Sequence, residues 1–90
     1  MKRVEIIANL SVEEDLMEAF LSAGIVKAYT KIPVVHGRGH SDPKMGDAVW
    51  PEENFILLVY CDEDEACHIE KTVADIKAKF PSEGIKVFSA

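Results

Sequence analysis

Polar and hydrophobic positions along the chain follow two periods, one typical of strands and one typical of helices. Residues 3 to 9 alternate, with Val4, Ile6 and Ala8 on one face, and this period predicts a strand. Between residues 12 and 23 the apolar residues recur at helical spacing, which predicts a first helix. The buried stripe of that helix would comprise Val12, Leu16, Ala19, Phe20 and Ala23.

The ends of this first helix carry residues that commonly start and stop helices. Ser11 is followed three residues later by Glu14, which is the spacing of a capping box. Gly24 stands where a C-terminal cap is expected. We therefore predict that the first helix spans about residues 12 to 23.

Two further strands follow. Residues 25 to 35 and 55 to 61 are rich in β-branched and aromatic side chains, which favour strands. In the second of these strands both faces are apolar. One face would carry Phe55, Leu57, Val59 and Cys61, and the other Ile56, Leu58 and Tyr60.

A second helix is predicted at about residues 63 to 80. Asp62 is placed to cap it, with Glu65 at the third position, and lysines lie toward its end, as the helix dipole favours. Pro81 and Gly84 then break the chain before a last short strand at residues 85 to 89.

The predicted order is β-α-β-β-α-β, which is typical of the ferredoxin-like fold. We expect a single α+β domain over residues 1 to 90, in which a four-stranded antiparallel sheet carries both helices on one face. Because residues 55 to 61 are apolar on both sides, the other sheet face also needs cover. The pattern therefore predicts a homo-oligomer that packs these faces together.

The segment between the second and third predicted strands has no regular period. Its sequence is VHGRGHSDPKMGDAVWPEEN. A connection of about fifteen residues or more is typical of a functional or a disordered loop. Its glycines loosen the backbone, while Arg38, His40, Asp42 and Lys44 supply side chains that can contact a partner. We expect this loop to be flexible and to carry much of the function.

Charge and composition exclude several classes of protein. The chain has a net charge of -6, which opposes binding to nucleic acid or to anionic lipid. No run approaches the roughly 20 apolar residues of a membrane span, and the start has no signal-peptide core. Cys61 and Cys67 form no metal or disulfide motif, and the sequon Asn9-Leu10-Ser11 is interpreted as accidental without export. We expect a cytoplasmic protein with reduced cysteines.

The element order and the long loop together resemble the P-II nitrogen-regulatory signalling proteins and their P-II-like relatives, which are ferredoxin-like homotrimers. The similarity covers the whole chain and is most specific at GRGHSDPKMGD followed by WPEEN, where that family has its T-loop. The segment PSEGIKVF resembles the family's B-loop and the strand that follows it.

This resemblance implies an adenine nucleotide bound in clefts between subunits. By position, Gly37, Gly39, Gly84 and Lys86 would be the counterparts of the family's nucleotide-binding residues. Glycine lets backbone N–H groups approach phosphate closely, and lysine supplies positive charge. The T-loop, at about residues 36 to 53, would then dock onto a membrane transporter or an enzyme.

Two departures from the family modify this expectation. The sequence ends at Ala90, before the family's basic C-terminal segment, so we expect weak binding of triphosphates. The loop also has no tyrosine, so the family's uridylylation switch would have no acceptor.

A metal site is the alternative interpretation. His36 and His40 lie four residues apart near acidic residues, and imidazole with carboxylate can bind a divalent transition metal. CutA-type cation-tolerance proteins share the trimeric fold, and this analogy slightly favours a metal site.

We expect no catalytic residues. Cys67 and His68 are neighbours on the second helix and do not face each other. The sequence offers no nucleophile, base and orienting group together, so we predict that the protein is not an enzyme.

Overall fold

The computed structural model describes residues 1–37 and 52–90. Its elements follow the order β-α-β-β-α-β. They are β1 (Lys2–Asn9), α1 (Glu13–Ala23), β2 (Thr30–Gly37), β3 (Glu52–Cys61), α2 (Glu63–Lys79) and β4 (Ile85–Ser89). In these described ranges, neither helix has the length and apolar character to cross a membrane.

The four strands form one antiparallel sheet in the order β2-β3-β1-β4. The two middle strands, β1 and β3, pair along the whole length of β1, and β2 and β4 form the edges. The predicted ferredoxin-like fold is therefore confirmed.

The core lies between the sheet and the two helices. Alternate residues of β1 and β3 are fully buried on this side, and both helices contribute their apolar stripes. The largest of these buried side chains are Ile6, Leu16, Phe20, Phe55, Leu57 and Ile69. Burying one such side chain contributes about 1.5–3 kcal/mol to stability, so this layer accounts for most of the attraction between helices and sheet.

The start of α1 differs from the prediction. A short 3₁₀ turn, Leu10–Val12, precedes the helix, and Val12 provides no side-chain cap. Asn9 Oδ1 instead accepts a hydrogen bond from the Ser11 backbone N–H, at 2.9 Å. The predicted capping box of Ser11 and Glu14 is therefore wrong, because the Ser11 hydroxyl donates to Glu83. The C-terminal cap is confirmed, since Gly24 has a left-handed φ of 69°.

β2 begins later than predicted, at Thr30. The preceding residues do not join the sheet, and Val26 has a φ of 56°, which is rare for a β-branched residue. Its N–H donates to Glu65 Oε2 at 3.1 Å, which ties this segment to α2. Along β2 a bulge separates Ile32 from Val35.

α2 begins as predicted. Asp62 Oδ1 accepts a hydrogen bond from the Glu65 N–H at 2.8 Å, and three acidic residues occupy the first turn. The cap fixes the point where the chain leaves β3, and therefore where α2 starts to cross the sheet.

The sheet face opposite the helices is also apolar. Ile7, Ile56 and Leu58 are half-buried there, while Tyr60 and Phe88 are 60% and 53% exposed. The register confirms that both faces of β3 carry apolar residues, as the sequence predicted.

Candidate ligand-binding site

One end of the sheet gathers most of the sequence-predicted site residues. On the β2 side, His36 lies opposite Glu53, and Gly37 lies opposite Glu52. His36 and Gly37 are thus the last residues of a paired strand, although their sequence predicted the start of a loop. Gly39 and His40 lie outside the described residues. The connection between β2 and β3, residues 38–51, leaves from this same end.

Asn54 of β3 lies at the centre of this sheet end. It is a register partner of Val35 on one side and of Asn9 on the other. Asn54 is only 8% exposed. Within residues 1–37 and 52–90, all other buried residues are apolar. A Cβ atom placed on Gly37 would lie 3.3 Å from Asn54 Nδ2. Residue 37 therefore approaches the Asn54 amide closely because it has no side chain.

Gly84 completes the row on the β4 side. The Asn9 N–H donates to the Gly84 carbonyl at 2.9 Å. Lys86, two residues further along the chain, is exposed and is the register partner of Ile7. Because Ile7 belongs to the sheet face that the helices leave open, Lys86 projects on that face.

We call the group formed by Gly37, Asn54, Asn9 and Gly84 the polar band, in which Gly37 lies two residues beyond Val35, the register partner of Asn54. It spans the width of the sheet at one end, from β2 to the residue that precedes β4. Adjacent strands are about 4.8 Å apart, so the two ends of the band are separated by at least about 14 Å, the width of the sheet. A single chain therefore brings Gly84 and Lys86 together, but it keeps Gly37 at the opposite edge of the sheet.

The turn before β4 is fixed at two points. The Glu83 N–H donates to the Phe80 carbonyl at 3.1 Å, which closes a four-residue turn. The Glu83 side chain accepts a hydrogen bond from the Ser11 hydroxyl at 2.8 Å. The turn before β4 is thereby attached to the turn after β1.

The electrostatics of this region are mixed. Lys86 provides a positive charge beside the polar band, whereas Glu53 and Glu83 are acidic. The net charge of -6 opposes unspecific attraction of anions. An anionic ligand would therefore depend on local contacts with Lys86 and with backbone N–H groups.

The sequence pattern did not predict Asn9 and Asn54 as site residues. Both stand where the apolar alternation of a middle strand ends, and both are polar residues with amide side chains. That position is a usable signal, because a polar amide there interrupts the apolar alternation of an interior strand. Their direct pairing depends on the register between β1 and β3, which the sequence alone does not give.

Of the two histidines in the predicted metal site, only His36 lies within the described residues. His36 lies in β2 beside Glu53, while its predicted partner His40 is outside the described residues. Within residues 1–37 and 52–90, no group of three or more histidine, cysteine, aspartate or glutamate residues is placed to hold a metal ion.

Comparison with known proteins gives a consistent result. The family model described as nitrogen regulatory protein P-II matches residues 1–90. Among curated proteins, no significant match is found.

Solved structures also resemble the chain. A protein from Thermus thermophilus, described as a PII-like signalling protein, is 25% identical with a TM-score of 0.67; the match covers 99% of this chain and 83% of that one. CPII from Thiomonas intermedia, solved with ADP and bicarbonate, is 19% identical with a TM-score of 0.70; coverage is 99% and 82%. CPII has also been solved with ADP, AMP and bicarbonate.

Proposed function

This chain belongs to the nitrogen regulatory protein P-II family, and we propose that it is a non-enzymatic regulator that senses an adenine nucleotide and controls a partner protein. Members of the family are trimeric regulatory signalling proteins. In this proposal the nucleotide binds at the polar band and Lys86, and residues 38–51 transmit its presence to the partner. A membrane transporter is the first candidate for that partner.

The observation that carries the proposal is the shared position of three features. The polar band, Lys86 and both ends of the 38–51 connection lie at one end of the sheet. A ligand at this end would therefore contact the base of the segment that acts on the partner. Such proximity allows the ligand to bind one loop arrangement better than another, which is what regulation requires.

The distance across the band indicates that the site is shared between protomers. Gly37 and Lys86 lie on opposite edge strands, so the width of the sheet alone separates them by about 14 Å, and their register positions are also offset along the strands. We infer that Gly37 of one protomer and Gly84 with Lys86 of a neighbour face the same ligand. The structures of CPII with ADP and AMP support an adenine nucleotide as the ligand class.

Calorimetry with AMP, ADP and ATP tests the proposal. We expect at least one of the three to bind, and Lys86→Ala to weaken binding about tenfold or more, since a charge-assisted contact contributes roughly 1.5–3 kcal/mol. Lys77→Ala is the matched control, because Lys77 is an exposed lysine in the last turn of α2.

Three outcomes would count against the proposal. If none of the three nucleotides binds, an adenine nucleotide is not the ligand. Equal losses in Lys86→Ala and Lys77→Ala would show that only overall charge matters. If zinc or copper bound tightly instead, and His36→Ala abolished that binding, the metal interpretation would replace the nucleotide one.

A further inference from the structure

A closed circuit of hydrogen bonds joins the turn after β1 to the turn before β4. The Asn9 N–H donates to the Gly84 carbonyl at 2.9 Å. Asn9 Oδ1 accepts from the Ser11 N–H at 2.9 Å, and the Ser11 hydroxyl donates to Glu83 Oε2 at 2.8 Å. Because Glu83 and Gly84 are adjacent in the chain, these three hydrogen bonds form a ring.

Asn9 and Ser11 each contribute two groups to the ring of hydrogen bonds. Asn9 uses its backbone N–H toward Gly84 and its side-chain oxygen toward Ser11. Ser11 uses its backbone N–H toward Asn9 and its hydroxyl toward Glu83. The tripeptide Asn9-Leu10-Ser11, which has the form of a glycosylation sequon, is thus accounted for by contacts within the fold.

The ring determines the conformation of the turn at residues 81–84. The hydrogen bond from the Glu83 N–H to the Phe80 carbonyl closes a turn over residues 80–83, and one such bond leaves several backbone states accessible. Attaching Glu83 to Ser11 and the following Gly84 to Asn9 restricts that freedom before any ligand arrives. Preorganisation of this kind raises affinity, because the ordering cost is not incurred on binding.

The ring also determines where the Glu83 carboxylate points. Glu83 directly precedes Gly84, so its negative charge would oppose an anion bound at the turn. The hydrogen bond from Ser11 holds the carboxylate toward the start of α1. Ser11→Ala would remove this restraint on the carboxylate.

We propose that Asn9, Ser11 and Glu83 are positioning residues that preorganise the turn at residues 81–84 to accept the phosphate of a nucleotide. This inference rests on the proposed function for its ligand. Its structural part, the fixing of the turn, is independent of that function and can be measured without any ligand.

The test combines hydrogen exchange of the ligand-free protein with calorimetry using ADP. Ser11→Ala should accelerate amide exchange at residues 83–85, and it should weaken ADP binding about three- to tenfold, because the lost hydrogen bond orders the turn and does not contact the ligand itself. Ser22→Ala is the matched control, since Ser22 is an exposed serine on α1. Ser11→Thr retains the hydroxyl and should restore both quantities.

Variants at Glu83 test the same ring from its other side. Glu83→Gln keeps an acceptor oxygen and should leave exchange at residues 83–85 close to that of the wild type. Glu83→Met removes the acceptor at similar length and should accelerate exchange as Ser11→Ala does. If Ser11→Ala failed to fold, this second pair would still decide the question.

The two proposals fail in different ways. Unchanged exchange in both Ser11→Ala and Glu83→Met would overturn the positioning role, and so would faster exchange with unaltered ADP affinity. Absence of ADP binding by the wild type would count against the proposed function, and the exchange data alone would then decide whether the ring fixes the turn.

Discussion

Ile7 of β1 and Ile56 of β3 lie directly opposite each other on the sheet face that points away from both helices. Both are half-buried in the single chain, whereas their neighbours Ile6 and Leu57 are completely buried on the helix side. Leu58 continues the same open face. An apolar surface of this kind on a small protein is typical of an interface, and the P-II family is trimeric.

We predict that the protein is a homotrimer with a mass near three times the protomer's 10.0 kDa. Leu58→Asp should dissociate it, because an unpaired carboxylate buried in the interface costs several kcal/mol. Ala74→Asp is the control, since Ala74 is exposed on α2. Light scattering coupled to size exclusion gives the masses. A wild-type mass near one protomer would contradict the prediction.

Gly37→Ala should separate ligand binding from stability. Its backbone lies in β2, so alanine can adopt it, but the new Cβ atom would lie 3.3 Å from Asn54 Nδ2. We expect the free energy of unfolding to change by less than about 1 kcal/mol. The nucleotide affinity should fall about tenfold, because the methyl group limits close approach to the backbone. Equal affinities of variant and wild type would remove Gly37 from the site.

Gly24→Ala tests the end of α1. Gly24 has a φ of 69°, and a Cβ atom there would meet no other atom within 4 Å. The cost should therefore come from the backbone alone, at about 1–2 kcal/mol for a left-handed residue with a side chain. Gly24→Asn should lose less stability than Gly24→Ala, since asparagine tolerates the left-handed conformation better. Urea unfolding measures both variants, and an alanine variant as stable as the wild type would contradict the prediction.

Much of the fold follows from local signals. The periods of β1 and α2, the Asp62 cap and the Gly24 cap are set by residues close in sequence, and the structure agrees with all four. The start of α1 could not be predicted in the same way. Ser11 has a capping partner at the right spacing, but its hydroxyl instead contacts Glu83, which lies 72 residues further along the chain.

The candidate site shows the same limit. The resemblance to a family pointed to Gly37, Gly84 and Lys86, because glycine and lysine each have a known use at phosphates. Asn54 could be placed at the site only once the strand register was known, because its position between Val35 and Asn9 arises from strand pairing. The bulge between Ile32 and Val35 shifts that register, and no spacing rule in the sequence predicts it.

The two cysteines should react very differently. Cys61 is buried at the end of β3, and Cys67 is exposed on α2. Burial raises the pKa of the Cys61 thiol, and the carboxylates of Glu65 and Asp62 raise it further. At pH 8 iodoacetamide should therefore label Cys67 in the native protein and reach Cys61 only after unfolding in urea, because the thiolate is the reactive form. Native-state labelling of the Cys67→Ser variant would contradict this.

The same shift predicts how stability depends on pH. The pKa of Cys61 is higher in the folded state than in the unfolded chain, where a thiol titrates at about 8.5. The folded state therefore holds the proton more tightly, and its contribution to stability is complete below that pH and is lost as the pH rises through the folded pKa. Urea unfolding between pH 7 and pH 10 should show a steeper decline for the wild type than for Cys61→Ala. Parallel declines would mean that the Cys61 thiol does not couple to folding.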